Sequence, residues 1–347
     1  MQPSVPIDDL DFILEHTADV WSKFSGARLF ITGGTGFIGI WLLESIAWAN
    51  KRLNANISIT ILSRNPDAFL KKNPRWSNSQ GIQFIKGDVL DFEFPLGSYD
   101  IAIHAATDVA GVEQDYLNVF DSNVAGTRRV LDFCVKSGVK SFLLTSSGAV
   151  YGVQPPEISH LDEKYKGAPE LNDLRSGYGE GKRAAEWLTN LYAIKYGINV
   201  GIARIFALIG PGMPLEGPFA AGNFIRDVLN EKNIAIQSDG TALRSYLYAA
   251  DMTIWLLKLL ENESSVKVFN IGSEQAISIL DLATAVDKKH KEKRMITLGQ
   301  QPDHSVLPQR YIPATQKAQR ELLVVEYTDL ESSIKKTLHW YKGLVHG

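Results

Sequence analysis

Cysteine is almost absent from this chain. Cys134 is the only one in 347 residues, so no internal disulfide can form and the composition suits a reducing compartment. Charge of one sign is also missing: 36 Lys and Arg stand against 39 Asp and Glu. That balance, with no basic stripe, excludes an electrostatic nucleic-acid binder. No apolar run reaches membrane-spanning length, and Asp8, Asp9, Asp11 and Glu15 make the opening segment unlike a signal peptide. A cytoplasmic location is the expectation, with no membrane or nucleic-acid partner. Repeats, low-complexity segments and metal-ligand spacings are lacking too. Cys134 itself reads as a small buried residue on a helix rather than as a nucleophile.

What remains is an ordinary globular composition, 45% hydrophobic and 22% charged, and one strongly patterned stretch. A short apolar run, Arg28 to Ile31, leads into Thr32-Gly33-Gly34-Thr35-Gly36-Phe37-Ile38-Gly39 and then into an apolar helical pattern. Strand, glycine turn and helix form the context that a dinucleotide-binding fingerprint requires. Glycine at the turn adopts torsions closed to other residues. A second glycine lets the main chain approach a pyrophosphate, and a third lets helix and strand pack closely. The helix N-terminus then offers free N–H groups to the phosphates. Gly33, Gly36 and Gly39 supply the spacing, with Thr35, Phe37 and Ile38 between them.

Apolar strands are predicted at 28–32, 57–62, 82–85, 100–105, 140–145 and 198–204, with helices at 37–50, 114–138 and 177–196. This alternation predicts an α/β fold of the Rossmann-like kind, a doubly wound parallel sheet. A single amphipathic helix is predicted over 7–24. Past Phe206 the texture becomes loop-rich, with a helix near 219–230, strands near 234–237 and 267–271, and helices at 251–261, 278–289 and 328–341. The expected organisation is an N-terminal helical extension (1–26), a dinucleotide-binding domain (27–206) and a smaller α/β substrate lobe (207–347), some of whose segments cross back to the sheet.

A second constellation lies far downstream. Tyr178 and Lys182 stand at i and i+4 on a predicted helix and so share a face. An ammonium beside a phenol favours the phenolate, which makes Tyr178 a candidate acid/base. The apolar face of the same helix is Ala184, Trp187, Leu188, Leu191 and Ile194. Glycines 179 and 181 each cost about 1 kcal/mol in a helix interior, so a close approach of a ligand or another helix is expected there. Upstream, a strand ends in Thr145-Ser146-Ser147-Gly148. Hydroxyls at the carboxyl end of a central strand lie where doubly wound sheets bind ligands, and Ser147 is the candidate to hold a substrate oxygen. The second strand ends in Ser63-Arg64 where a carboxylate would accept from the adenosine ribose. That pair favours NADP(H), with NAD(H) as the alternative cofactor.

The glycine turn, Ser147, Tyr178 and Lys182, in that order, resemble the extended short-chain dehydrogenase/reductase family, the NAD-dependent epimerase/dehydratase group. By that resemblance Asp88 and Val89 form the adenine-contacting turn, Ala105, Ala106 and Thr107 lie along the cofactor, and Asn123 belongs to the helix behind it. Thr145, Tyr178, Lys182 and Phe206 complete the implied cofactor contacts. The implied substrate is a nucleotide sugar, with Ser147, Gly148, Asn223, Arg244 and Tyr248 as its candidate contacts. Arg244 would face the diphosphate, a role suited to a guanidinium. A homodimer through the helices at 114–138 and 177–196 is implied as well.

The chain departs from the family pattern in ways that narrow the expected chemistry. Members that eliminate water carry an Asp-Glu pair directly after the serine, where this chain has Gly148 and Ala149, and decarboxylating members keep a glutamate at the Ala149 position. Elimination needs a base and an acid, and neither residue supplies one. Arg204-Ile-Phe206 is followed by Ala207 where the family has asparagine. The resulting expectation is an enzyme exchanging hydride at C4 of a nucleotide-activated hexose, as a 4-epimerase or a 4-ketoreductase. A 4,6-dehydratase or decarboxylase with its acid elsewhere, and a non-catalytic NADP-binding protein, are the alternatives.

Overall fold

The computed structural model describes residues 4–107, 115–261, 265–289, 294–303 and 305–345. Residue 114 of the expected long helix, the first three residues of the N-terminal extension and parts of the expected lobe lie outside them. Through the first half the elements are α1 (Ile7–His16), α2 (Ala18–Phe24), β1 (Arg28–Thr32), α3 (Phe37–Leu53), β2 (Ser58–Ser63), α4 (Pro66–Lys72), β3 (Ile82–Lys86), β4 (Ile101–His104), α5 (Tyr116–Ser137), β5 (Ser141–Ser147), α6 (Gly177–Tyr196) and β6 (Asn199–Ile205). Then follow β7 (Leu208–Ile209), α7 (Ala220–Leu229), β8 (Ile234–Ile236), β9 (Leu243–Arg244), β10 (Leu247–Tyr248), α8 (Ala249–Leu260), β11 (Val266–Ile271), β12 (Ile277–Ser278), α9 (Ile279–Asp287), β13 (Ile296–Leu298), β14 (Arg310–Tyr311), α10 (Gln316–Leu322) and α11 (Leu330–Val345).

Seven strands form the central sheet in the order β11-β6-β5-β4-β1-β2-β3, every neighbouring pair parallel. Parallel strands covered on both faces read as continuous apolar runs, and β1, β2, β4 and β5 are buried almost throughout. One face is covered by α3, α8 and the N-terminal helices, around Trp41, Ile46 and Trp255. The other is covered by α5 and α6, around Phe30, Phe133 and Phe142. Each such large side chain taken fully out of water contributes about 1.5–3 kcal/mol before entropy is counted. The chain order reverses between β1 and β4, the switch point at which open α/β sheets bind ligands. A separate core around Phe224, Ile225, Val228 and Leu282 holds much of the later half together, but β11 from that half is the edge strand of the main sheet.

Two expectations change. The helix over 7–24 is broken at Thr17, whose φ of −128° is not helical and whose hydroxyl donates back to the Ile13 carbonyl at 2.5 Å. In α6 the buried positions include Lys182, Ala185, Glu186, Thr189 and Ala193. The apolar face expected of this helix is divided: Leu188 packs against the core, whereas Trp187, 62% exposed, and Ile194, 79% exposed, point outward.

Candidate active site

Gly33 is the tightest point of the β1–α3 turn. Its φ is +72°, and a Cβ there would lie 2.4 Å from the Ala105 carbonyl carbon, so only glycine lets β1 and β4 approach at the switch point. Gly36 precedes α3 with no side chain capping its first turn, so the helix N-terminus keeps N–H groups available for an anion. Above this turn runs a groove of about 340 Å³ lined by Gly33, Thr35, Gly36, Ser63, Arg64, Asp88, Val89, Ala105, Ala106 and Thr107, joined by Leu62, Asn65, Gly87 and Ser122. Phe37, Ile38 and Gly39 form the first turn of α3 beside it.

His104, at the end of β4, ties the floor of the groove together. Its Nδ1 lies 2.7 Å from Thr32 Oγ1 and its Nε2 3.1 Å from Thr127 Oγ1. Burial, with the Lys182 charge nearby, pushes it down to about 3, so the ring is neutral. The Thr32 hydroxyl accepts from the Ala106 N–H at 3.2 Å, and the Thr145 hydroxyl donates to the His104 carbonyl at 3.1 Å. None of this is visible in sequence spacing, because the partners come from three strands and a helix.

Ser147, Tyr178 and Lys182 converge where β5 meets α6. Lys182 is fully buried, and its Nζ donates to the Thr145 carbonyl at 2.8 Å. Burial pulls it down to about 8, opposed by Glu186 one turn further on. Glu186 accepts from the Ser146 hydroxyl at 2.5 Å and from Arg204 in a two-pronged pair at 3.0 and 2.7 Å. Arg204 in turn donates to Tyr151 Oη at 2.9 Å, and Tyr151 donates to Asn270 at 2.8 Å. Glu186 was not singled out in the sequence, although its i+4 spacing from Lys182 was the available signal.

Burial raises the Tyr178 hydroxyl above the usual phenol range, with the neighbouring Ser147 and Thr107 hydroxyls acting in the opposite direction. Lys182 stands 5.9 Å from the Tyr178 ring centre with its Nζ committed to Thr145. In the protein alone, therefore, desolvation rather than the lysine sets the state of Tyr178. Thr107 donates to Asn123 Oδ1 at 3.3 Å, and Asn123 Nδ2 donates to the Val119 carbonyl at 2.8 Å. Glycines 179 and 181 meet protein: a Cβ at 179 would lie 2.7 Å from the Ala149 carbonyl oxygen, and one at 181 would lie 3.0 Å from Asn123 Cβ.

The expected substrate contacts divide. Ser147, Gly148 and Phe206 lie together, and Tyr311 of β14 joins them, its ring centre 4.6 Å from that of Phe206. Tyr311 was missed because a two-residue strand carries no periodicity. Arg244 of β9 pairs in register with Tyr311, and its Nη1 donates to the Leu243 carbonyl. Asn223, in α7, donates to the Gly217 carbonyl at 2.9 Å within its own lobe. Tyr248 is a correction: it is fully buried and donates at 2.6 Å to Asp9 of α1, a carboxylate that Lys336 also pairs. The N-terminal helix, whose docking place sequence could not give, takes that hydroxyl away from any substrate. Cys134 is buried in α5, and burial raises its thiol pKa. Among the described residues no helix is long and apolar enough to cross a membrane.

Comparison with known proteins agrees with this geometry. UDP-glucuronic acid decarboxylase 5 of Arabidopsis thaliana is 33% identical over 269 residues, 76% of this chain and 76% of the plant protein. Two solved structures share the fold: UDP-glucose 4-epimerase of Thermotoga maritima with UDP-glucose (TM-score 0.77, 21% identity, 92% of this chain and 99% of that one) and UDP-glucuronic acid 4-epimerase of Bacillus cereus in complex with NAD (TM-score 0.75, 22% identity, 91% and 97%). The sequence pattern of the NAD dependent epimerase/dehydratase family matches residues 29–272. That span begins in β1, carries the glycine turn and the Ser147–Tyr178–Lys182 cluster, and ends just past β11; the chain belongs to this family and is an enzyme of the extended short-chain dehydrogenase/reductase type.

Proposed function

We propose that this enzyme exchanges hydride at C4 of a nucleotide-activated hexose, with Tyr178 moving the proton on the C4 oxygen. The observation that carries the reading is the meeting of Ser147, Tyr178 and a buried Lys182 at the carboxyl end of β5, next to a groove built for a dinucleotide. The groove fits such a group: a positive-φ glycine whose Cβ space is already taken, an uncapped helix start, and a corner at Ser63-Arg64. When bound there, a nicotinamide dinucleotide supplies the hydride acceptor and donor. Ser147 orients the sugar oxygen, and Tyr178 takes or returns its proton. The Lys182 ammonium, held by the Thr145 carbonyl, stabilises negative charge on that side of Tyr178. Arg244 sits beside Tyr311 at the lobe side of the site, where a sugar-nucleotide diphosphate would be met.

A UDP-activated hexose or hexuronic acid is the substrate class that the relatives' names support. Decarboxylation is a second reading, favoured by the plant relatives. It shares the first step, because a hexuronic acid oxidised at C4 becomes a β-keto acid. Gly148 and Ala149 offer no acid to reprotonate C5, which favours epimerisation or ketone reduction. For the cofactor, Ser63-Arg64 supports NADP(H), whereas the NAD bound in the Bacillus cereus neighbour supports NAD(H). A homodimer is proposed through α5 and α6, whose outward Leu117, Trp187 and Ile194 are strongly exposed in one chain.

The test joins cofactor and chemistry. Nucleotide released on denaturing the purified protein is identified, and UDP-glucuronic acid and UDP-glucose are supplied with NAD or NADP to the wild type and to Tyr178→Phe. Loss of turnover by about 10²–10⁴-fold in the variant is expected for a missing general acid/base. A variant as active as the wild type would remove Tyr178 from the chemistry.

A further inference from the structure

The C-terminal half of α3 carries a stripe of side chains that the hydride chemistry leaves unused. Glu44, Ala47, Trp48 and Lys51 stand at i, i+3, i+4 and i+7, so they share one face of the helix. They wall a cavity of about 330 Å³, closed on its other side by Arg75, Trp76 and Ser79. Arg75 and Trp76 belong to the short 3₁₀ turn Pro74–Trp76 that follows α4. At 1.5 Å of rise per residue the stripe lies roughly 10–20 Å along α3 from the glycine turn. The cavity shares no lining residue with the dinucleotide groove, so one molecule in each does not compete for the same walls.

The walls are fixed by bonds of their own. Trp48 Nε1 donates to Asp11 of α1 at 2.8 Å, and the Ser79 hydroxyl donates to the Arg75 carbonyl at 2.8 Å. Trp48 is 9% exposed and Trp76 4%, so packing holds both indoles in place. A site whose side chains are already ordered loses little entropy on binding.

Charge around the cavity does not cancel. Glu44 is buried; its Oε1 accepts from the Ser4 N–H at 2.7 Å, and it pairs with Arg75. The Arg75 guanidinium lies 4.1 Å from the centre of the Trp76 ring, and Lys51 Nζ lies 5.0 Å from that of Trp48. No carboxylate among the described residues pairs with Lys51. Two cations against one buried carboxylate leave a single positive charge beside two aromatic walls. An inorganic anion answers the charge and not the indoles, and a neutral ring does the reverse. A flat ring bearing one negative charge answers both.

We propose that this cavity is a second binding site, for a small aromatic carboxylate whose ring lies against Trp48, Ala47 and Trp76 and whose charge meets Lys51 and Arg75. Its volume is at the lower end of small-molecule sites, which run from about 300 to 1,000 Å³, and that suits a single substituted ring.

The experiment is calorimetric titration of the full chain with benzoate, with benzamide as the same ring without the charge and inorganic phosphate as the charge without the ring. Benzoate is expected to bind saturably at millimolar concentration, and benzamide and phosphate about fivefold or more weakly. Lys51→Met, a change at an exposed position, is expected to weaken benzoate by about fivefold. Ala47→Phe puts a ring of the chain's own into the cavity from a partly exposed position and is expected to abolish the binding. Thermal unfolding confirms that each variant is folded, and Lys51→Met keeps the test intact if Ala47→Phe is not. Absence of saturable benzoate binding overturns the proposal. Phosphate binding as tightly as benzoate reduces the site to a charged patch and overturns it too, as does benzoate binding unchanged in the variants, which places the ligand elsewhere. None of these readouts uses turnover, so they stand apart from the reading of C4 chemistry.

Discussion

Replacing Lys182 by methionine is expected to make the cofactor-free protein more stable near neutral pH while destroying its activity. The magnitude follows from where the ammonium sits. Burial moves Lys182 from 10.5 to about 8. At ~1.4 kcal/mol for each tenfold change in proton affinity, keeping it charged in the fold costs roughly 3 kcal/mol. Methionine forfeits the hydrogen bond to the Thr145 carbonyl, a loss of about 1 kcal/mol. Glu186 keeps Arg204 and Ser146 as partners. The net expectation is a gain of roughly 2 kcal/mol at about pH 7. The sign with pH is fixed by linkage. Between about 8 and 10.5 the unfolded chain binds more protons at this site than the folded one, so wild-type stability rises through that window. The advantage of Lys182→Met should therefore shrink by about 2 kcal/mol on going from about pH 7 to about pH 9.5. Paired urea unfolding curves of the two proteins measure this directly, since other titrating groups cancel in the difference. A difference that stays flat with pH, or grows, would show that Lys182 is not a buried charge held at a cost.

Two further outcomes test other parts of the site. Gly33→Ala must place a Cβ 2.4 Å from the Ala105 backbone and hold φ near +72°, strain worth at least about 1–3 kcal/mol; it should lower the unfolding midpoint and abolish NADH fluorescence enhancement, and normal binding would refute the turn geometry. Trp187→Glu combined with Ile194→Asp should leave unfolding of the single chain nearly unchanged, because both side chains are outward. In light scattering it should reduce a two-chain mass to one, and a wild type that already runs as one chain would remove the dimer.

The sequence by itself determined the nucleotide half of this protein. The β1–α3 turn, the alternation of strands and helices, and the Tyr178–Lys182 spacing are local patterns, set by torsion and helical period, and each recurs in the structure at nearly the expected residues. Relations between distant segments were decided only by tertiary structure. Tyr248 belongs to Asp9 because α1 folds over α8. Trp187 and Ile194 of α6 face outward while Lys182 and Glu186 are drawn inward by Thr145, Ser146 and Arg204 on β5 and β6. Tyr311 stands against Gly148 because β14 pairs with β9 and Gly148 carries no Cβ to fill the space. A hydrogen bond between residues more than a hundred positions apart leaves no period in the sequence. Burial, which sets the protonation of Lys182, His104 and Tyr178, exists only once the chain has closed around them.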